Sequence, residues 1–384
     1  MNRLLSLVLS VLTVLFPVLT GTNSGDYEKM TSFKDSLYVL FNKKEVTGEY
    51  HTGEKSTDVF DESQPFSLSE TVTLTKEKGK DFKILTLDDI HFSDYGYRAF
   101  FSIFNVNKIK RLVKRTNPDL IIMPGDFVCG GDGNSDYYSI QRITDLMESF
   151  GVPWAPVFGN HDDETNCDLN FLADTMMKSP HCLMQKGDER MGVGNYIINV
   201  VEEGTENIVE SIFMMDSHHS QPNELQQKWF KRAAEGINAL TSGKAEISLF
   251  MHIPIPEYQT MYAEAWNSEK KCWNDGYDAY GSAHETVCCE FDADGNPYDR
   301  GFFDIIKEVG AKYVFCGHDH MNDFSAVYEG VRLTYLMKLG QSSGFQPFFD
   351  GGSVITIGDS GISRITHIIT LIDIMINLVD IEIK

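Results

Sequence analysis

Short apolar runs alternate with amphipathic stretches from residue 82 onward. Residues 82–87, 119–123 and 152–158 are short and mostly apolar, which predicts buried strands. Between them, residues 103–115 and 137–150 carry apolar side chains at helical spacing, which predicts two helices. Strands that alternate with helices indicate an α/β domain built in layers.

The second half of the chain continues with strand-like runs and one long helix. Further strands are predicted at residues 196–201, 208–215, 247–251, 312–316, 324–328, 331–337, 354–357 and 365–370. A helix is predicted over residues 223–240, whereas residues 267–300 show little periodicity and are interpreted as a long insertion loop. The apolar C-terminal stretch 365–383 contains Asp373 and Asp380. Because charges are costly in lipid, this stretch is predicted as strands packed on the core.

Residues 1–24 have the pattern of a secretory signal peptide. Arg3 is the only charge before Asp26, residues 4–19 are nearly all apolar, and small polar residues follow. The apolar run is shorter than the ~20 residues of a spanning helix, which favours a cleaved signal over the alternative, an uncleaved anchor. Residues 25–80 are polar and charged, and they are interpreted as an N-terminal extension or as accessory strands. Residues 81–384 are then expected to form one main domain.

The overall charge argues against nucleic acid as a partner. The chain has 33 Lys and Arg residues against 56 Asp and Glu residues, which gives a formal net charge of -23 at pH 7. Proteins that bind nucleic acid neutralise phosphates with clustered cations, so we expect no nucleic-acid binding. An anionic substrate would need metal ions or a few well-placed cations.

The seven cysteines leave the disulfide pattern open, and none of their spacings is that of a zinc ribbon. Because export permits disulfides, Cys167 with Cys182, and Cys272 with Cys288 or Cys289, are candidate local pairs. The odd number leaves at least one thiol unpaired, or paired with another chain.

Metal-competent side chains follow five of the predicted strands. The five clusters are Asp89-Ile90-His91, Gly125-Asp126, Gly159-Asn160-His161-Asp162, His252, and Gly317-His318-Asp319-His320. Residues just beyond the carboxyl ends of strands converge at one edge of an open α/β sheet. We therefore expect these clusters to meet in space.

Counting possible ligands predicts a centre with two ions. The clusters offer two carboxylates, one amide and four imidazoles, on Asp89, His91, Asp126, Asn160, His252, His318 and His320. Mixed nitrogen and oxygen ligation suits Zn, Fe or Mn. Seven ligands are too many for one ion. One bridging carboxylate would make eight contacts, enough for two divalent or trivalent ions about 3.5–4 Å apart.

The five clusters, in this order, resemble the motifs of the calcineurin-like metallophosphoesterases. That family's pattern runs Asp-x-His, Gly-Asp, Gly-Asn-His-Asp/Glu, a lone His and Gly-His-x-His, and the resemblance covers residues 82–370. Residues 159–164 (GNHDDE) and 252–258 (HIPIPEY) resemble a secreted subgroup with plant probable inactive purple acid phosphatases and related fungal phosphatases. The resemblance implies a metallophosphoesterase-type layered β-sandwich flanked by helices, with a short N-terminal extension.

The resemblance also implies a role for each site residue. One ion would be held by Asp89, His91, Asp126 and His320. The other would be held by Asp126, Asn160, His252 and His318. His161 would face the substrate as the catalytic acid for the leaving oxygen, or as a stabiliser of it. Asp88 is out of register for the first motif and is interpreted as supporting the ligands from behind.

Cys129 marks a departure from the family. Purple acid phosphatases carry Tyr at this position, and calcineurin-type enzymes often carry Asp. We therefore expect no purple colour, and the usual carboxylate partner of His161 is missing. Asp132, Asp162 and Asp163 are candidates to replace that partner.

These observations predict a secreted two-metal phosphatase. Attack by a metal-bound hydroxide would hydrolyse monoesters on phosphorylated small molecules or proteins. The alternatives are a phosphodiesterase acting on nucleotides or lipid head groups, and a catalytically silent binding protein with the same fold. The predicted signal peptide places the protein outside the cytoplasm, with an endolysosomal or vacuolar location also open, and no stable membrane span is expected.

Overall fold

The computed structural model describes residues 50–93, 96–128, 137–283, 285, 287–289, 291, 298–340, 350–370 and 379–383. The predicted signal peptide, residues 1–24, lies outside the described residues. So do Cys129 and Asp132, and the predictions about them stay predictions.

The chain forms two large sheets and several helices. The strands, in chain order, are β1 Thr71–Lys76, β2 Phe82–Thr86, β3 Leu120–Met123, β4 Trp154–Pro156, β5 Tyr196–Glu202, β6 Ile208–Met214, β7 Glu246–Phe250, β8 Trp266–Asn267, β9 Cys272–Trp273, β10 Ala279–Tyr280, β11 Tyr313–Cys316, β12 Ser325–Tyr328, β13 Val331–Tyr335, β14 Gly351–Gly358, β15 Gly361–Ile369 and β16 Val379–Ile383. The helices are α1 Gly96–Thr116, α2 Tyr137–Glu148, α3 Leu169–Met176, α4 Glu224–Thr241, α5 Pro256–Ala265 and α6 Phe302–Glu308.

Each large sheet contains a run of parallel strands. The six-stranded sheet has the order β16-β15-β14-β2-β3-β4, and its last three strands are parallel. The eight-stranded sheet has the order β1-β5-β6-β7-β11-β13-β12-β10, in which β6, β7, β11 and β13 are parallel. Parallel strands end at the same edge of a sheet, so the loops after them can meet.

The two sheets pack on each other, and helices cover their outer faces. One apolar cluster contains Ile122 and Ile355 of the six-stranded sheet together with Ile198 and Ile212 of the eight-stranded sheet. A second cluster joins the eight-stranded sheet to helices α4 and α6. In it, the ring of Phe230 lies between other aromatic rings, with centroids 4.8 Å from Phe213 and 5.5 Å from Phe302. This arrangement confirms the predicted layered β-sandwich flanked by helices.

Several elements differ from those that the periodicity predicts. The strand predicted over residues 152–158 is confined to Trp154–Pro156, and Pro153 and Pro156 lack the N–H groups that a longer ladder would need. Helices α3, α5 and α6 were not predicted. Signals for two of them were present, because Asp168 caps α3 with its side chain and Pro256 occupies the first turn of α5.

The region interpreted as an insertion loop contains short strands. Strands β8 and β9 pair with each other, and β10 adds to the edge of the eight-stranded sheet. Cys182, Cys272, Cys288 and Cys289 carry free thiols, so neither candidate local disulfide forms. In the C-terminal stretch predicted as strands, β15 pairs with β14 and β16 pairs with β15, and residues 371–378 lie outside the described residues.

The segment before β2 packs along the surface of the main body. The N–H of Gly53 donates to the carboxylate of Asp168, and Phe66 packs over Gly236 of α4. Strand β1 pairs with β5 at the edge of the eight-stranded sheet. Residues 50–80 thus include both an extended segment that packs on the surface of the main body and an accessory strand. Among the described residues, no helix is long and apolar enough to cross a membrane.

Candidate metal centre

The five sequence clusters come together where the two sheets meet. Asp89 and His91 follow β2, Asp126 follows β3, and Asn160 follows β4 in the six-stranded sheet. His252 follows β7, and His318 and His320 follow β11 in the eight-stranded sheet. Three neighbouring parallel strands of one sheet and two of the other therefore deliver all the predicted ligands to one place.

Asp89, His91 and His320 form the first group of donors. The Oδ1 atom of Asp89 lies 3.5 Å from Nε2 of His91 and 3.3 Å from Nε2 of His320, and the two Nε2 atoms are 3.1 Å apart. Ligand atoms 2.0–2.1 Å from a tetrahedral zinc ion lie about 3.3–3.4 Å from one another. The triangle of donor atoms therefore has the size that one bound ion requires.

Asp126, His252 and His318 form the second group, and each offers a ligand atom within 4.8 Å of the other two. Nε2 of His252 lies 3.2 Å from Oδ2 of Asp126 and 3.1 Å from Oδ1 of Asn160. Nδ1 of His252 faces the carbonyl oxygen of Pro124 at 3.2 Å. Donation to that carbonyl would keep a proton on Nδ1 while a bound metal ion displaced the Nε2 proton and took its lone pair.

Asp126 lies between the two groups. Its Oδ2 atom is 3.2 Å from Nε2 of His252 in one group and 3.7 Å from Nε2 of His91 in the other. Its Oδ1 atom accepts a hydrogen bond from the backbone N–H of His161 at 2.8 Å. One oxygen therefore fixes the loop after β4, while the other is free to face both groups.

Buried carboxylate oxygens without partners are the strongest sign that these residues suit a cation. Within the described residues, Oδ1 of Asp89 and Oδ2 of Asp126 have no hydrogen-bond donor, although both side chains are buried. The other oxygen of Asp89 accepts the backbone N–H of His318 at 3.1 Å. An unpaired buried charge is costly, so a bound cation would satisfy both oxygens.

The electrostatics of the site favour added positive charge. Burial lowers the pKa of His252, but Asp126, Asp89 and Asp88 outweigh it and raise that pKa to about 10. Burial, with His252 nearby, lowers the pKa of His318 to about 4. His318 is therefore neutral near pH 7, which is the form that binds a metal.

The backbone at the site adopts conformations that few side chains tolerate. Asp89, His91, Asp126 and His318 have φ angles of 46°, 47°, 46° and 71°, in the left-handed region. Such conformations cost energy and persist where the surrounding structure holds them. Gly159 has a different constraint, because a Cβ atom there would lie 2.2 Å from Oδ1 of Asp126. Only glycine allows the loop after β4 to approach Asp126 this closely.

His161 lies at the open side of the site and has a carboxylate partner. Its side chain is 40% exposed, whereas that of His252 is fully buried. Nδ1 of His161 lies 2.7 Å from Oε2 of Glu164. The carboxylates proposed from sequence include Asp162 and Asp163, but neither forms this pair. Residues 162–164 form a 3-10 turn, and side chains three residues apart eclipse in that geometry. The spacing from His161 to Glu164 was the signal that could have identified the partner.

Asp162 and Asp163 have other contacts. Asp162 is buried and accepts the backbone N–H groups of Gly159 and Val128, at 2.8 and 3.1 Å, which ties the loop after β4 to the loop after β3. Asp163 lies at the surface, where Oδ2 is 3.0 Å from Nε2 of His219. Asp162 therefore has a structural role, and Asp163 pairs with a different histidine.

Asp88 lies next to the donor groups, but its role in supporting the ligands stays a prediction, because neither of its carboxyl oxygens has a hydrogen-bond partner among the described residues. It is fully buried, and a Cβ atom on Gly317 would lie 2.0 Å from its Oδ2. Burial and the neighbouring Asp89 raise its pKa well above the usual range. Its carbonyl oxygen accepts the N–H of Leu339, which joins the loop that carries Asp89 and His91 to the chain after β13.

Comparison with known proteins places these features in a family. A family model described as calcineurin-like phosphoesterase matches residues 82–322. The chain is similar to Probable inactive purple acid phosphatase 14 of Arabidopsis thaliana, with 26% identity over 299 residues, or 66% of this chain and 69% of that protein. Probable inactive purple acid phosphatase 29 of the same plant is 26% identical over 293 residues, or 66% and 71% of the two chains. Phosphatase DCR2 of Saccharomyces cerevisiae is 25% identical over 233 residues, or 56% of this chain and 38% of that protein.

Proposed function

Because the chain belongs to the calcineurin-like phosphoesterase family, we propose that it is a two-metal phosphatase that hydrolyses phosphate monoesters. The observation that carries the proposal is the pair of three-residue donor groups that meet at Asp126. The two ions would be transition metals, with Fe, Mn and Zn all suited to nitrogen and oxygen ligands. Phosphorylated small molecules or proteins would be the substrates.

Each donor has a place in the proposal. Asp89, His91, Asp126 and His320 would hold one ion. Asp126, Asn160, His252 and His318 would hold the other. When bound, two such ions acidify water and hold phosphate oxygens. The chain itself orients these groups through the Pro124 carbonyl behind His252 and the backbone N–H of His318 on Asp89.

The charge of the site indicates that metal ions would have to bind before the substrate. Asp89 and Asp126 are buried among the donor groups, and although burial opposes ionisation, the nearby histidines lower the pKa of both carboxyl groups and keep them charged near pH 7. A phosphate dianion would be repelled by these carboxylates in a chain whose net charge is already -23. Two bound cations would reverse the sign of the local charge, so metal binding and substrate binding would be coupled.

His161 is the proposed proton donor to the leaving oxygen. It is partly exposed at the open side of the donor groups, with Glu164 on its Nδ1. That contact orients the ring so that Nε2 can face a substrate. The role resembles that of other histidine acids, whose orientation is set by a hydrogen bond on the opposite nitrogen.

A silent binding protein and a phosphodiesterase are the alternatives. The names of two relatives contain the word inactive, which keeps the first alternative open. Against it, all seven predicted donors converge among the described residues. A phosphodiesterase would use the same donor groups. The preference for monoesters or diesters would therefore depend on the residues that surround those groups.

Activity assays with metal analysis separate these three functions. Purified protein loaded with Mn²⁺, Zn²⁺ or Fe is expected to bind close to two ions per chain and to hydrolyse p-nitrophenyl phosphate faster than bis-p-nitrophenyl phosphate. The reverse preference would establish the phosphodiesterase. Two bound ions with no hydrolysis of either ester would establish the silent protein. Folded protein that cannot be loaded with metal would contradict the metal centre itself.

We further propose that the protein is exported after its N-terminal segment is removed. The basic start and apolar centre of residues 1–24 support removal of that segment and release outside the cytoplasm, in secreted or endolysosomal form. Mass spectrometry of the natively produced protein is expected to find a mature N-terminus close to residue 25. Recovery of peptides that contain Arg3 from the exported protein would contradict cleavage.

A further inference from the structure

The insertion, residues 267–300, is tied to the loop that follows His318 and His320. The N–H and Oγ of Ser282 bond to Oδ1 of Asp323 at 2.7 and 2.9 Å. Oε1 of Glu285 accepts the N–H of Met321 at 2.7 Å. These contacts place the part of the insertion that contains Ser282 and Glu285 against the chain segment directly after His318 and His320.

One of these contacts positions a thiol beside the metal centre. The N–H of Cys288 donates to both oxygens of Asp319, at 3.2 and 3.1 Å. The hydroxyl of Tyr335 also donates to Asp319, which is itself buried. With its backbone held in this way, the free thiol of Cys288 lies within 4.8 Å of a ring nitrogen of His318 and a carboxylate oxygen of Asp319.

We propose that Cys288, His318 and Asp319 form a third metal site, for a thiophilic divalent cation, at the rim of the two-metal centre. Sulfur, imidazole and carboxylate together select Zn²⁺, Cd²⁺ or Co²⁺ over Mg²⁺ and Mn²⁺, which prefer oxygen ligands. Sulfur and nitrogen atoms bound to one tetrahedral zinc ion lie about 3.6 Å apart, so the group needs to contract by only about 1 Å. Three protein ligands leave one position for water.

The consequence for activity follows from His318, which both sites share. His318 also belongs to the group with Asp126 and His252. An ion on Cys288 therefore draws on a ligand of the two-metal centre, and we expect it to inhibit hydrolysis. This consequence rests on the proposed function, whereas the binding of the ion does not.

Binding exchanges a proton for the metal. Burial and the nearby Asp319 raise the pKa of the Cys288 thiol to about 11, so the thiol is protonated near neutral pH when no ion is present. Coordination forms the metal–sulfur bond, breaks the S–H bond and releases the proton to solvent. No oxidant or reductant takes part.

The direct test is a Co²⁺ titration followed by absorption spectroscopy. Mn²⁺-loaded protein is titrated with Co²⁺, and the thiolate-to-Co²⁺ charge-transfer band in the near ultraviolet is recorded. The wild type is expected to develop the band, and Cys288→Ser is expected to lose it. Cys289→Ser and Cys272→Ser are matched controls, because both thiols lie in the same insertion outside the donor group, and both variants are expected to keep the band. Circular dichroism confirms that each variant is folded.

A second measurement follows inhibition by Cd²⁺, with each variant compared with its own uninhibited rate. The inhibition constant is expected to rise by ~10-fold or more in Cys288→Ser, since even a residue outside the ligand shell changes metal affinity by 10–100-fold. An unchanged band in Cys288→Ser, loss of the band in Cys289→Ser, or absence of the band from the wild type would overturn the third site. A band that depends on Cys288 in protein without phosphatase activity would support the third site and reject the proposed function. Phosphatase activity in wild-type protein that lacks the band would support the proposed function and reject the third site.

Discussion

Replacing Asp126 with Asn is expected to lose bound metal and turnover together. Its Oδ2 atom faces Nε2 of His252 at 3.2 Å and Nε2 of His91 at 3.7 Å, so it is the carboxylate placed to contact both ions. An amide carries no charge, and its NH₂ group cannot ligate a cation. Metal affinity should fall by more than the ~10–100-fold that loss of an outer-shell partner costs. Turnover should fall by about 10³-fold or more, because metal catalysis contributes several kcal/mol.

The matched control for this variant is Asp145→Asn. Asp145 lies on α2, where its carboxylate accepts a hydrogen bond from Gln141 at the surface. The substitution makes the same change of charge away from the donor groups, and metal content and activity should stay unchanged. Elemental analysis and p-nitrophenyl phosphate hydrolysis measure both effects. If folded Asp126→Asn kept two ions and full activity, Asp126 would not bridge the two groups.

Replacing His161 with Ala is expected to keep the metals and lower the rate by 10²–10⁴-fold, the range typical of a lost acid or base. His161 lies beside the donor groups, with its ring centroid 5.5 Å from that of His91, and its Nδ1 is occupied by Glu164. The loss should be smaller for p-nitrophenyl phosphate than for an alkyl phosphate, because a good leaving group needs less protonation. Measuring metal content beside the two rates separates catalysis from metal binding.

Two further variants identify what the histidine does. Glu164→Gln should reproduce part of the loss and the same dependence on leaving group, because it weakens the contact that orients the His161 ring. His219→Ala is the matched control, since His219 forms a similar exposed pair with Asp163 but lies outside the donor groups. Equal losses for both esters in His161→Ala would argue against a general acid. Loss of metal in that variant would instead make His161 a ligand.

The strands and the donors could be predicted from the sequence because both depend on short-range patterns. An apolar run such as residues 120–123 forms a buried strand wherever the sheet lies, and the residues directly after it are placed at the edge of the sheet. Since the strands that precede the motifs are parallel with their neighbours, their ends meet without further information. Seven metal-competent side chains could therefore be named before the fold was known.

The tertiary structure decided which side chains share a contact. Asp162, Asp163 and Glu164 are adjacent acids, and a single 3-10 turn directs the first inward to Gly159, the second to His219 and the third to His161. The division of the ligands into two groups, with Asp126 between them, likewise depends on how the two sheets pack. The placement of Cys288 depends on hydrogen bonds that join residues 31 positions apart in the chain. The two ligand groups, the contact of Asp163 with His219 and the position of Cys288 are set by distances between elements remote in sequence, which periodicity and spacing do not encode.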